Sequence, residues 1–270
     1  ERINEIHQSR NEESKNNQMK EFAGEKAIRI NEISFRYDPH SLKKTLDNIT
    51  FEIPEGKVTA IVGASGSGKT TLIKLMLGYY PVSEGAIMVS GKNINEYNLK
   101  WWRRCCGVVM QDGVIFSESI ARNIAVGDGE VDIARLEQAA RIACIHDYIL
   151  SLPLKYNTKI GRDGVGLSQG QKQRILIARA VYKNPVFIFL DEATNSLDAK
   201  NEREIVENLD DFYKGRTVVV VAHRLSTVKN ADQIVVIDSG KVVEKGTHTE
   251  LIEKQGGYFN LVKNQLELGN

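Results

Sequence analysis

Apolar residues along the chain fall into short runs separated by glycine-rich turns, and their period changes from segment to segment. Residues 1–24 are rich in Glu, Asn, Lys, Arg and Ser and carry few apolar positions, so they read as a linker, with helical character confined to residues 1–6. Strand-like residues begin at Ile28, Ile30 and residues 33–37. Residues 45–53 form a β segment that ends at the turn Pro54-Glu55-Gly56, and residues 57–62 form a short apolar strand. Helical spacing appears over residues 68–77, at Leu72, Leu75 and Met76. Ser83-Glu84-Gly85 and Ser90-Gly91-Lys92 bracket another strand. The middle of the chain is helical in pattern: residues 131–150 read as one helix, with Ile133, Leu136, Ala140, Ala143 and Tyr148 near a 3.6-residue period, and residues 171–182 as another. Residues 186–190 and 217–222 are continuous apolar runs of strand length, the pattern of parallel strands buried on both faces. Residues 234–238, Ser239-Gly240 and residues 241–244 predict a hairpin, and the last 20 or so residues predict outer helices. The pattern as a whole predicts an α/β fold.

Composition narrows the function classes. With 41% hydrophobic and 26% charged residues the chain is ordinary globular material, and its formal charge of +1 argues against gripping nucleic acid by bulk basicity. No apolar run approaches the roughly 18 residues that would span a bilayer. Cys105, Cys106 and Cys144 are odd in number and lack a C-x-x-C, which suggests neither a disulfide framework nor a zinc site.

Gly63-Ala64-Ser65-Gly66-Ser67-Gly68-Lys69-Thr70 matches G-x-x-x-x-G-K-[ST], with a strand before it and a helix after it. Such a loop turns successive backbone N–H groups toward phosphate oxygens, and the helix adds its positive dipole end. Lys69 supplies a full charge to the β- and γ-phosphates, Thr70 offers a hydroxyl to Mg²⁺, and Thr71 follows in the first helical turn. The motif signals a nucleoside triphosphate without choosing between ATP and GTP.

The apolar run at 186–190 delivers Asp191 and Glu192 to a strand's carboxyl end, where ligands of open parallel sheets bind. Asp191 can face the cation beside Thr70, and Glu192 can reach an attacking water. Residues 217–222 deliver His223 to the same edge, either as a structural hydrogen-bonder or as a γ-phosphate contact. Ser168 is a good N-cap and Gln171 three residues on completes a capping box, which makes either a well-capped helix or a second anion-binding helix end. Two such ends do not easily fold onto one phosphate within one domain, which hints at a partner subunit.

Together these motifs resemble the nucleotide-binding domain of ATP-binding cassette (ABC) exporters. Leu167-Ser168-Gln169-Gly170-Gln171 resembles the LSGGQ signature with Gln169 in place of its first glycine, and residues 186–192 resemble the Walker B strand and catalytic glutamate. The resemblance implies that Tyr37 stacks on adenine, that Gln111 is the Q-loop glutamine touching Mg²⁺ and sensing the membrane domain, that Ser196-Leu197-Asp198 is the D-loop, and that His223 contacts the γ-phosphate. It covers roughly residues 27–266. It implies a linker over 1–24 leading from a transmembrane domain of the same chain, an ABC ATPase domain over 25–270, and a helical subdomain over about 112–183. The implied fold is a P-loop NTPase core with a mostly parallel sheet, an antiparallel β subdomain and a helical subdomain.

Leu46-Asp47-Asn48-Ile49, the segment 116–124 and Ala222-His223-Arg224-Leu225-Ser226-Thr227 look like the exporter branch, and within it like bacterial exporters of toxins, bacteriocins and other peptides. Glu1-Arg2-Ile3-Asn4-Glu5-Ile6 resembles the segment leaving the last transmembrane helix. The resemblance further implies ATP and Mg²⁺ as cofactors. It implies a head-to-tail homodimer or paired half-transporter, with ATP held by Gly63–Thr71 of one subunit and by Ser168, Gly170 and Gln171 of the other. It implies work at the cytoplasmic face of the inner membrane. Departures are Gln169, Met110 where many exporters have proline, and Arg162 where the exporter loop before the signature has Glu. Soluble ABC ATPases of chromosome maintenance fit less well, because the interval of about 100 residues between P-loop and signature carries no sustained heptads.

Overall fold

The computed structural model describes residues 19–127, 129–195, 197, 199–222 and 228–268. In chain order, three strands β1 (Ile28–Phe35), β2 (Leu46–Ile53) and β3 (Val58–Val62) lead to helix α1 (Lys69–Met76). Strands β4 (Glu84–Val89) and β5 (Lys92–Asn93), helix α2 (Leu99–Cys105) and strand β6 (Cys106–Val109) follow. Helices α3 (Ile120–Ile124), α4 (Ile133–Ile142), α5 (His146–Ser151) and α6 (Gln169–Tyr182) precede strand β7 (Phe187–Asp191). Helix α7 (Ala199–Tyr213), strands β8 (Thr217–Val221), β9 (Gln233–Asp238) and β10 (Lys241–Gly246), and helices α8 (His248–Glu253) and α9 (Gly257–Leu268) complete the chain.

The strands form two sheets. One is antiparallel in the order β2-β1-β4-β5; the other has the order β10-β9-β3-β8-β7-β6 and is parallel except for β10. The continuous apolar runs belong to the centre of the second sheet, as their composition requires. Alternate residues of its strands feed two cores. Ala60, Val62, Ile188, Leu190, Val218 and Val220 face the core shared with α3 to α7. Ile61, Phe187, Phe189, Val219, Val221 and Ile237 face the core shared with α1, α2 and the antiparallel sheet. A strand flanked by helices on one side and a sheet on the other has no solvated face, so every position is apolar.

Three expectations change. Residues 131–150 do not form one helix: α4 ends at Ile142, Cys144 takes a left-handed φ of 51°, and α5 restarts at His146. The break is held from outside, because Arg174 on α6 donates to the Cys144 carbonyl at 2.7 Å. Ile133, counted in the apolar stripe, is 60% exposed, while Leu136, Ala139 and Ala140 are buried. Helix α6 begins at Gln169, two residues ahead of its expected start. Residues 19–24, read as linker, are not all outside the core. Met19 bridges to Tyr97 and the Phe22 ring packs against Tyr97, Trp101, Trp102 and Phe187. Two apolar side chains suffice to dock an otherwise polar segment. Residues 1–18, including the expected helical stretch at 1–6, lie outside the described residues.

The predicted hairpin is β9–β10, and its two-residue turn explains its residue choice. Ser239 and Gly240 have φ of 48° and 78°, as a type I′ turn requires of both central positions. A side chain at Gly240 would place Cβ 2.6 Å from the Thr45 carbonyl oxygen, just ahead of β2. Gly240→Ala is therefore expected to lower stability by about 1–3 kcal/mol, read as a reduced thermal midpoint relative to the parent chain.

Candidate nucleotide site

Strand β3 runs up the middle of the parallel sheet and delivers the glycine-rich loop to its carboxyl edge. The loop is boxed in. At Gly63, φ is 150° and a Cβ would come within 2.0 Å of the Ile237 carbonyl; at Gly68, φ is 106° and a Cβ would meet the Leu46 side chain at 2.5 Å. Only glycine lets the backbone curl this tightly between β9 and β2. No side chain caps the N-terminus of α1, so its first N–H groups stay available to an anion. Lys69 is 95% buried; its Nζ donates to the carbonyls of Gly63 at 2.9 Å and Ala64 at 2.8 Å. Burial lowers its pKa, and the charges of Glu192 and Asp191 oppose that shift. The buried ammonium is thus held at the mouth of the loop by carbonyls.

Asp191 ends β7 and pairs with Val221 of β8. Its side chain is fully buried and neither carboxylate oxygen makes a hydrogen bond of ordinary length. Burial pushes its pKa up; the Thr70 hydroxyl, which lies near enough to favour the carboxylate, works in the other direction. An ionised oxygen pair buried without donors is costly, and a divalent cation beside Thr70 would offset that cost. The donor set of hydroxyl and carboxylate is the hard oxygen chemistry Mg²⁺ takes.

Glu192 sits in the left-handed region at φ 53°, unusual for a residue with a side chain. Its amide donates to the Val221 carbonyl at 2.9 Å, which locks the turn, and its Oε2 accepts a hydrogen bond from Asn195 Nδ2 at 2.7 Å. Asn195 was not among the residues expected from sequence; its spacing three residues after Glu192 in a turn is the signal that could have found it. Gln111 stands two residues past β6, whose Val109 pairs with Leu190 of β7, so it reaches the same sheet edge.

Tyr37 is half exposed, and its hydroxyl lies 3.1 Å from Thr71 Oγ1. Its ring forms T-shaped pairs with Phe35 and Tyr80 at 5.0 and 5.3 Å, which fix its orientation. An open cleft of about 600 Å³ extends from Tyr37 along Ala64, Ser65, Gly66 and Ser67 to Gly240. The sequence-expected residues Tyr37, Gly63 to Thr71, Asp191 and Glu192 thus cluster at one edge.

The segment at 167–172 does not join them. Ser168 Oγ accepts from the Gln171 amide at 3.2 Å and Gln171 Oε1 from the Ser168 amide at 2.8 Å, which is the expected capping box. Ser168, Gln169 and Gly170 line no part of the P-loop cleft among the described residues; Leu167 and Lys172 line a separate cleft with Gly113, Ile115 and Arg162. His223, Ser196 and Asp198 lie outside the described residues. The strand that leads to His223, β8, lies between β3 and β7.

Comparison with known proteins agrees with this arrangement. The family model of the ABC transporter matches residues 46–195. The chain is 44% identical over 241 residues to the leukotoxin translocation ATP-binding protein LktB of Mannheimia haemolytica, covering 89% of this chain and 34% of that protein. The same figures hold for LktB of Bibersteinia trehalosi. In fold it matches a bacterial Atm1-family ABC exporter with ATP bound, at a TM-score of 0.90 and 34% identity, over 98% of this chain and 46% of that one. The chain spans about a third of the length of the curated relatives it matches. A P-loop, a buried Asp-Glu strand end and a separately capped signature helix on this fold place the chain in the ABC transporter family, as its ATP-hydrolysing domain.

Proposed function

We propose that this domain binds two ATP molecules between two copies arranged head to tail, and that hydrolysis powers export of a peptide or protein through attached transmembrane segments at the cytoplasmic face of a membrane. The observation that carries the reading is the separation of two anion-binding helix ends. The P-loop residues Ala64, Ser65, Gly66 and Ser67, which lead directly into the uncapped N-terminus of α1, line the cleft, whereas Ser168 and Gln171 cap α6 outside it. A second copy can bring its α6 end to the phosphates that this copy's P-loop holds. The similarity to LktB, a leukotoxin translocation ATP-binding protein, supports a protein or peptide substrate.

Thr70, Asp191 and Gln111 would hold Mg²⁺, which supplies charge to the β- and γ-phosphates when bound. Lys69 neutralises phosphate charge directly, Tyr37 stacks on the base, and His223 and Asp198 are assigned to the γ-phosphate and the subunit interface. Glu192 is the general base: its strained backbone and its bond from Asn195 aim the carboxylate rather than leave it to rotate. The exposed Val165 lines a cleft with Ile115, Arg162 and Lys172, and the exposed Val114 and Phe116 flank Ile115 in sequence, a surface suited to a membrane-domain segment.

Glu192→Gln is expected to bind ATP as the parent does while turnover falls by about 10²- to 10⁴-fold. It should also run as a dimer in ATP on size-exclusion chromatography; normal turnover would remove the base assignment. Activity of the parent chain should rise more than linearly with protein concentration. Asn195→Ala leaves the Glu192 side chain in place but less constrained, so kcat should drop roughly tenfold with the KM for ATP unchanged within about twofold. Steady-state hydrolysis at varied ATP separates the two parameters.

A further inference from the structure

The three elements that carry the phosphate chemistry are tied together at their far ends, well away from the cleft, by one short helix. The last carbonyls of the P-loop helix α1 are not left to solvent. Trp102 Nε1 donates to the Met76 carbonyl at 2.9 Å, Arg103 Nε to Leu77 at 3.1 Å, and Arg103 Nη2 to Gly78 at 2.9 Å. Helix α2 thereby caps α1 with two side chains, one of them a cation at the negative end of the helix dipole. The C-terminus of α2 is capped in turn. Lys183, which follows the signature helix α6, donates from Nζ to the carbonyls of Arg103 and, at 2.7 Å, of Cys106. Partial burial lowers the Lys183 pKa, and the two carbonyls hold its ammonium at the end of α2.

The N-terminus of α2 is fixed by the segment that precedes β1. Asn98 caps α2 through the Trp101 amide at 2.9 Å, and its own amide donates to the Met19 carbonyl at 3.0 Å. Phe22 lies 4.8 Å from the Trp101 ring and 5.5 Å from Phe187 of β7, the strand that ends in Asp191. Trp102 itself packs at 4.9 Å on Phe187 and is fully buried. One helix is therefore bonded to the ends of α1 and α6 and wedged by Phe22 against β7.

We propose that Trp102, Arg103 and Lys183 are positioning residues that set the pose of the P-loop helix relative to the signature helix, and that residues 19–22 are a strap whose position α2 transmits to the P-loop. The proposal rests on the P-loop nucleotide reading and deepens it. Movement of whatever chain enters at Met19 reaches Lys69 through two hydrogen-bonded helix ends. Packed elements joined by such directional bonds shift as units rather than deform.

The chain carries two tryptophans, and both, Trp101 and Trp102, lie in α2. Their emission reports this helix directly. Addition of ATP with Mg²⁺ to the full chain is expected to change tryptophan emission, and Lys69→Met should abolish both the change and hydrolysis. Arg103→Met keeps the aliphatic stem but loses the donors. It should raise the KM for ATP roughly tenfold with kcat within about twofold, and Arg103→Lys should recover part of the loss. Phe22→Ala should raise KM less, and the double variant less than the product of the singles, because both act through one helix.

An unchanged KM in Arg103→Met with only a lower melting temperature would reduce the network to plain stability and overturn the proposal. If Arg103→Met does not fold, Phe22→Ala and Lys183→Met decide it, and normal KM in both overturns it. Independent multiplication of the Phe22 and Arg103 effects removes the strap. A parent chain that hydrolyses ATP without any emission change sinks the network alone, whereas a parent chain that neither binds nor hydrolyses ATP sinks the nucleotide reading with it.

Discussion

Everything at the site depends on keeping opposite charges buried at one edge of one sheet. Lys69 and Asp191 are nearly or fully withdrawn from water, and each on its own is an expensive group to bury. Lys69 is tolerable because two loop carbonyls accept its protons, and Asp191 because Lys69 and Thr70 lie nearby. Burial acts on both groups against their charged forms, raising Asp191 and lowering Lys69. The domain is therefore built around buried charged groups that a phosphate and a cation would satisfy. A ligand that relieves such a cost in the folded chain also stabilises the fold, so binding and folding share one free-energy term.

That constraint explains the architecture. A buried charge pair needs strands that end together, which parallel strands with both faces covered supply. The antiparallel sheet earns its place by crowding the P-loop: Leu46 of β2 leaves no room for a side chain at Gly68, and Thr45 leaves none at Gly240. The loop's shape is thus fixed by β9 on one side and the second sheet on the other, and only its glycines fit between them. Glu192 shows the same logic in backbone terms, with a left-handed residue held by the Val221 carbonyl.

The parts legible in the sequence are those whose chemistry is local. The P-loop, the capping box at Ser168 and the apolar strands at 187–191 and 217–221 each announce themselves within a few residues. The hairpin turn at Ser239-Gly240 does so too, because positive φ selects glycine at one of its two positions. What was illegible is held by distant partners. The break between α4 and α5 has no proline or glycine to mark it, and Arg174 from another helix stabilises it. Helix α2 and strand β6 are short and sit in a stretch whose double tryptophan fits neither period. Their identity comes from what they cap and pair with. Phe22 looks like an isolated apolar residue in a polar segment until its four aromatic neighbours are brought together from the rest of the chain.

The same distinction separates the halves of the mechanism. Residues that touch phosphate must have particular chemistry, so they form motifs. Residues that place those groups need only reach a carbonyl or fill a gap, so they leave little trace in the sequence. On the proposed reading, Asn195 beside Glu192 and Arg103 at the end of α1 belong to the second kind. A cleft open to about 600 Å³ of solvent cannot by itself exclude water from the reaction, and one copy offers only one of its two anion-binding helix ends to the phosphates. Closure by a second copy, as proposed above, would solve both problems at once, and it would demand that α1 and α6 keep their spacing while the copies approach. A short helix bonded to the ends of both is the least material that could enforce that spacing.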